Sequence, residues 1–201
     1  MKLNEIKSNT TAAGAHFDRR TKSFQWKDVQ WQYNNGMYCS NRTYPDEFWN
    51  QSWMKKKNHT AGCLFIQREG SQLKILLVQC YHNKYGFPKG TLQSSETFEE
   101  AAKREVKEEL GIELSEDDLK KSLTISFTVP RRNRREQDRK VKFFVVWVPE
   151  HFKLNTFPTR GIGDVEITRF GWISIHELDQ YELSHIAKQT FNHLKKKIAD
   201  S

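Results

Sequence analysis

The stretch that decides the fold is GTLQSSETFEEAAKREVKEELGI, Gly90 to Ile112. Its start is turn-like, with Gly90, Ser94 and Ser95. From Thr97 to Leu110 there is no Gly or Pro, and Glu, Lys and Ala dominate, as in a helix. At about 100° per residue, Phe98, Ala102, Val106 and Leu110 share one arc, the side expected to face a core, and Glu100, Lys103 and Lys107 lie roughly opposite. Glu109 nevertheless projects between Phe98 and Ala102, Glu105 lies just beside them, and Glu108 sits a little further round. Ionised carboxylates against an apolar wall are costly, and neighbouring like charges add to the cost. Two arrangements relieve it. One is a surface network with Lys and Arg, the common fate of Glu-rich helices. The other is a bound hard divalent cation, which clustered carboxylates without His or Cys suit. Lys103 and Lys107 are on the wrong side for the first; Arg104, about a quarter-turn from Glu105, is the cation close by.

Working outward, the spacing reads Gly90, five residues, Glu96, seven residues, Arg104-Glu105-Val106, one residue, Glu108-Glu109, one residue, Gly111-Ile112. This resembles the Nudix box at every defined position, and the resemblance extends from about Thr60 to the last helix. It implies an α/β/α sandwich around a mixed β-sheet and the hydrolysis of a pyrophosphate linkage with Mg²⁺ or Mn²⁺. It further implies that Glu105, Glu108 and Glu109 bind the metal, helped by the carbonyl of Gly90. Glu96 and Arg104 resemble the pair that braces the loop against the helix. One carboxylate takes a proton from the attacking water, and Glu108, Glu109 and a residue further away all remain open for that role. "DVEITRFGWISI" resembles the segment that follows the box in several members, which makes Glu166 a candidate metal ligand or base. Asp164 is its rival, and an exposed strand position is the plainer reading of Glu166.

The flanks bear on the substrate. "YGFPKGT" before the box is similar to the mRNA-decapping branch of the family, and Pro-Lys-Gly also occurs in diadenosine tetraphosphate hydrolases. Lys89 is placed on a Pro-Gly turn to reach a phosphate oxygen. "RRNRREQDRK" reads as a charged loop, making Arg131, Arg132, Arg134, Arg135, Arg139 and Lys140 candidates for contact with RNA; a solvated hairpin tip is the plainer alternative. The expected partner is capped RNA or another anionic polyphosphate. Dinucleoside polyphosphates, diphosphoinositol polyphosphates and a non-catalytic RNA-binding role are the alternatives. The decapping branch carries a helical regulatory domain to which the residues before Thr60 do not align.

The rest of the chain supports one enzyme-sized domain. It has 201 residues with a formal net charge of +8, and 13 Phe and 6 Trp to fill a core. That charge points to polyanionic ligands or merely to solubility. No apolar run is long enough for a bilayer, and the first twenty residues lack the apolar region of a secretory signal. The odd, scattered cysteines Cys39, Cys63 and Cys80 suggest a reducing compartment, with the cytoplasm as the expected location. Residues 1–58 are expected to form a polar tail and an aromatic-rich segment (Trp26, Trp31, Trp49, Trp53), either short helices or an arm packed on the neighbouring domain, and 59–201 the catalytic domain. "AGCLFIQ" and "LKILLVQC" read as strands joined by a turn at "REGSQ". "SLTISFTV", "VKFFVVWV" and "DVEITRFGWISI" read as further strands, and Ile175 to Ile198 as a closing helix.

Overall fold

The computed structural model describes residues 16–18, 23–26, 29–34, 37–40, 59–79, 84–130, 138–150, 152, 167 and 169–199. Strand β5 (Thr60–Glu69) and strand β6 (Gln72–Gln79) form the predicted hairpin, pairing Ile66 with Ile75 and Glu69 with Gln72. The turn between them needs Gly70, whose φ of 58° lies in the left-handed region. Two short strands follow, β7 (Tyr85–Gly86) and β8 (Lys89–Thr91), and then helix α1 (Phe98–Leu110). A short helix α2 (Glu116–Lys120) leads into β9 (Leu123–Val129), β10 (Arg139–Val148) and β11 (Arg169–Ser174). A 3₁₀ segment, Ile175–Gln180, precedes helix α3 (His185–Ala199).

The strands join one mixed sheet, which includes β1 (His16–Asp18), β2 (Ser23–Trp26), β3 (Val29–Asn34) and β4 (Met37–Ser40). Its described order is β1-β2-β3-β4-β11-β6-β5-β10-β9, with β7 on β6 and β8 on β5. β5 runs parallel to β10 and antiparallel to β6 and β8. The alternation of side chains along each strand divides the core in two. On one face Ala61, Cys63, Phe65, Leu76, Phe144 and Val146 pack beneath Ala101, Ala102 and Val106 of α1 and Leu119 of α2. On the other, Leu64, Ile66, Ile75, Phe143 and Val145 pack against Ala187, Phe191 and Leu194 of α3. The result is the expected sandwich of helices on both faces of a mixed sheet. No helix among the described residues is long and apolar enough to cross a membrane.

Three expectations need correction. The aromatic segment after residue 22 forms strands rather than short helices: β1 (His16–Asp18), β2 (Ser23–Trp26), β3 (Val29–Asn34) and β4 (Met37–Ser40) extend the sheet, with β4 on β11. The cause is legible in Val29-Gln30-Trp31-Gln32-Tyr33-Asn34, which alternates apolar and polar residues with the two-residue period of a strand. Asn35-Gly36 between β3 and β4 is also the dipeptide most favourable to a two-residue hairpin. No aromatic cluster is described there; Trp49, Trp53 and "DEFWNQSW" lie outside the described residues. Secondly, the last helix does not start at Ile175. Tyr181 is extended, Leu183 bridges to Tyr85, and the Ser184 amide donates to the Tyr85 carbonyl at 2.8 Å, so α3 begins afresh at His185. Thirdly, Arg139 and Lys140 are not loop residues but the first residues of β10, opposite Val129 and Thr128.

Candidate active site

Helix α1 is delimited by its own sequence. The Thr97 side chain accepts from the Glu100 amide while the Glu100 carboxylate accepts from the Thr97 amide, a reciprocal cap. At the other end Gly111 takes φ 69° and donates its amide to the Lys107 carbonyl, the left-handed stop that glycine permits. These ends fix the rotation of the helix, and rotation decides where the glutamates point. Ala101, Ala102, Val106 and Leu110 are buried, and Glu109 is buried with them at 6% exposure. Phe98 is only partly buried at the margin of the core.

The loop from β8 returns across that glutamate edge. Glu109 Oε2 accepts the main-chain amide of Lys89 at 3.2 Å. Gly90 lies directly over Glu105: a Cβ built on it would coincide with the Glu105 carboxylate. Here glycine serves for space rather than for an unusual φ, since Gly90 is not among the positive-φ residues. A further close approach, that of Gly62 to the Pro88 carbonyl, seats the Phe87-Pro88-Lys89 turn on β5, where the Cys63 amide donates to Pro88 O at 3.0 Å.

Arg104 holds the assembly together. Its Nε and Nη2 donate to the two oxygens of Glu96 at 2.7 and 3.0 Å, the planar fork expected of a bracing pair. Nη1 donates to Glu105 Oε1 at 2.6 Å and Glu108 Oε2 at 2.9 Å, and Nη2 also reaches the Thr91 carbonyl at 3.0 Å. Those contacts use every N–H of the guanidinium. Burial opposes the charge on Arg104, but bonding to Glu96 and the charges of Glu105 and Glu108 outweigh it, so the guanidinium stays protonated. Glu96 is held below the usual carboxylate range, first by its bond to Arg104 and also by the Gln93 amide, which donates to Glu96 Oε2 at 2.7 Å.

The expected residues Lys89, Gly90, Glu96, Arg104, Glu105, Glu108 and Glu109 are therefore brought together. Of the two ways of relieving the carboxylates, the Arg pairing is present and reaches Glu96, Glu105 and Glu108. Three carboxylates sharing one guanidinium still suit a further cation. The donor set of carboxylates and a backbone carbonyl is that of a hard divalent ion. Among the described residues no three His, Cys, Asp or Glu side chains are arranged to hold a metal ion. Glu166, Asp164, Arg131, Arg132, Arg134 and Arg135 lie outside the described residues, although Ile167, next to Glu166, is buried in the α1-side core. Arg139 Nε donates to Thr60 Oγ1 at 2.6 Å, and Lys140 is exposed on β10 opposite Thr128. The sequence reading passed over two residues near this end of the sheet, His59 and Lys142. A lysine inside the apolar run "VKFFVVWV" was the available signal for the second.

A carboxylate-edged helix, braced by arginine, thus lies beneath a Gly-containing loop on one face of an α/β/α sandwich. The NUDIX domain model matches residues 56–194, so the chain belongs to the Nudix family of pyrophosphohydrolases. A comparison with curated protein sequences returned no match. Among solved structures, the fold is similar to a C. elegans Ap4A hydrolase at 16% identity and TM-score 0.52, covering 72% of this chain and 99% of that one. It is similar to the M. smegmatis Nudix hydrolase RenU at 18% identity and TM-score 0.53, covering 72% and 88%. A NUDIX hydrolase from Nitrosomonas europaea gives 23% identity and TM-score 0.50, covering 71% and 90%. At these identities the likeness is one of fold.

Proposed function

We propose that the chain hydrolyses a phosphoanhydride bond of a dinucleoside polyphosphate, with Mg²⁺ or Mn²⁺ held by Glu105, Glu108, Glu109 and the Gly90 carbonyl. The observation that carries this reading is the Arg104 brace, which ties Glu105 and Glu108 to Glu96 and the Thr91 carbonyl of the β8–α1 loop. The bound metal would supply neutralisation of phosphate oxygens and acidification of water. The chain's own residues do the rest. Glu109, oriented by the Lys89 amide, or Glu108 takes the proton from the attacking water, with Glu166 as a further ligand or base. The ammonium of Lys89, carried on the turn that holds that amide, contacts a phosphate of the substrate.

One consideration favours a small polyphosphate over capped RNA: Arg139, counted among the RNA contacts, already donates to Thr60 within the fold. The Pro88-Lys89-Gly90 turn suits the polyphosphate chain of either substrate. Capped RNA is the competing reading, favoured by the run of arginines from Arg131 to Arg135. The test offers diadenosine tetraphosphate, cap-labelled RNA and a diphosphoinositol phosphate to the protein with Mg²⁺ or Mn²⁺. Glu109→Gln serves as the control and is expected to lower turnover by orders of magnitude. Preferential cleavage of the dinucleotide supports the proposal. Release of methylated GDP as the dominant activity replaces it with decapping, and undiminished activity in Glu109→Gln refutes the metal assignment.

A further inference from the structure

Away from the glutamates, where α1 begins, a cavity of about 250 Å³ opens over β9 and β10, lined by Phe98, Ser126, Phe127, Thr128, Lys140, Val141 and Lys142. Its position follows from register. Gly90, Ala61, Lys142 and Ser126 are direct partners across β8, β5, β10 and β9. At about 4.8 Å per strand, Lys142 stands roughly 10 Å from Gly90. α1 starts between them: Glu105 faces Gly90, whereas Glu99 faces Lys142.

The walls of this cavity are built rather than incidental. Lys142 is the last charged residue of β10 before the apolar run from Phe143 to Val148, and its ammonium is held at 2.8 Å from Glu99 Oε1. It also lies 5.9 Å from the centre of the Phe98 ring and 4.9 Å from that of Phe144, close enough for cation–π attraction. An ammonium has three donors, and one bond to Glu99 leaves capacity for another acceptor. Phe98 is itself fixed by stacking on His59, with ring centres 6.0 Å apart and planes 19° from parallel. The His59 Nδ1 accepts the Lys140 amide at 3.2 Å, tying that lysine's backbone to the same cluster. Ser126 and Thr128 are exposed on the adjacent strand, on the same side of the sheet as Lys142.

We infer that this cavity is a second anion site, which takes a phosphate group borne by a nucleotide. Lys140 and Lys142 supply charge, the hydroxyls of Ser126 and Thr128 supply hydrogen bonds, and the Phe98 edge borders the attached sugar or base. The cavity is smaller than the usual drug-sized pocket of about 300–1,000 Å³, which suits one nucleotide rather than a whole dinucleotide. Glu99 sets the affinity, because it competes with the ligand for Lys142. The phosphate belongs either to a free nucleotide or to a strand of RNA lying along the β9–β10 hairpin. The inference does not depend on what the glutamate cluster hydrolyses.

Binding is measured without metal, in EDTA, so that hydrolysis plays no part. ADP is titrated by calorimetry and fluorescein-labelled oligouridylate by anisotropy. Lys142→Met keeps the apolar stem and is expected to weaken binding about tenfold, the scale of one charged hydrogen bond. Ser126→Asp, at an exposed position, brings a negative charge into the cavity without disturbing the core and is expected to weaken binding similarly. Glu99→Gln should tighten it. A loss confined to ADP assigns the site to free nucleotides. A loss on oligouridylate, with the log–log salt slope reduced by about one, assigns it to RNA. Affinities for both ligands that stay within about twofold in Lys142→Met and Ser126→Asp, with wild-type circular dichroism, overturn the inference.

Discussion

Replacing Gly90 by Ala places a methyl group where the Glu105 carboxylate now lies. The obstructing atoms are the end of a side chain and not backbone, so the fold escapes by swinging that carboxylate aside. The displacement breaks the 2.6 Å bond from Arg104 Nη1 to Glu105 Oε1, worth about 1.5–3 kcal/mol for a charged pair. Because the carboxylate swings clear, overpacking adds little and the total stays at about 1.5–3 kcal/mol. In a protein of this size that lowers Tm by roughly 3–12 °C, so the variant folds. Function should fare worse. Displacing one metal ligand should weaken metal affinity at least as much as loss of an outer-shell partner does, about 10–100-fold. The assay is hydrolysis of diadenosine tetraphosphate across a Mn²⁺ titration, paired with a thermal melt of the metal-free protein. The expected signature is a modest fall in Tm with a large rightward shift of the metal curve. An unaltered metal curve would show that Gly90 does not make room for Glu105, and the spatial account of the box glycine would fail with it.

Two other changes separate the brace and the helix stop from the chemistry. Glu96 has a folded-state pKa depressed by Arg104, so its contribution is complete above the unfolded value of about 4.3 and lost as pH falls through the lower folded value. Glu96→Gln should accordingly lower Tm at neutral pH, and its deficit against wild type should shrink in melts run below about pH 4. A deficit that is the same at acid and neutral pH would dissociate Glu96 from the ion pair. Gly111→Ala forces a side chain into φ 69° at the helix stop, costing about 1–2 kcal/mol. The same melts should show that loss while the Mn²⁺ dependence of hydrolysis stays put, the reverse of the pattern for Gly90. A shifted metal curve would mean that Gly111 positions Glu108 and Glu109 as well as ending the helix.

The legible parts of this protein are those in which local sequence and tertiary structure ask for the same thing. Phe98, Ala102, Val106 and Leu110 recur with helical spacing, and Thr97 and Gly111 delimit the run, so α1 could be placed on the page and the glutamates rotated to its edge. β5, β6, β9 and β10 were equally plain, because each is a short apolar run bounded by turns. The failures have two physical sources. At Val29 to Asn34 the aromatic content masks the two-residue period that marks a strand. After Ile175 the helical pattern continues through Tyr181 to Ser184, yet Leu183 and Ser184 are claimed by Tyr85 on a distant strand. Pairing over that separation leaves no trace in a local window. The cap of α2, by contrast, was available: Ser115 and Asp118 satisfy each other's backbone in the spacing of a capping box.

The charge arrangement around α1 was harder to foresee, and it explains why composition was a poor guide to substrate. A net charge of +8 suggests an open basic surface, but several of the described cations work inside the fold. Arg104 spends every N–H on Glu96, Glu105, Glu108 and Thr91, Arg139 donates to Thr60, and Lys142 is held by Glu99. What governs ligand choice is therefore which cations retain donor capacity beside a cavity. At the glutamate edge the guanidinium is saturated, and the carboxylates left over suit the proposed metal. Where β9 meets β10 the lysines outnumber Glu99, which suits the inferred anion. On those two proposals one helix separates sites of opposite preference about 10 Å apart.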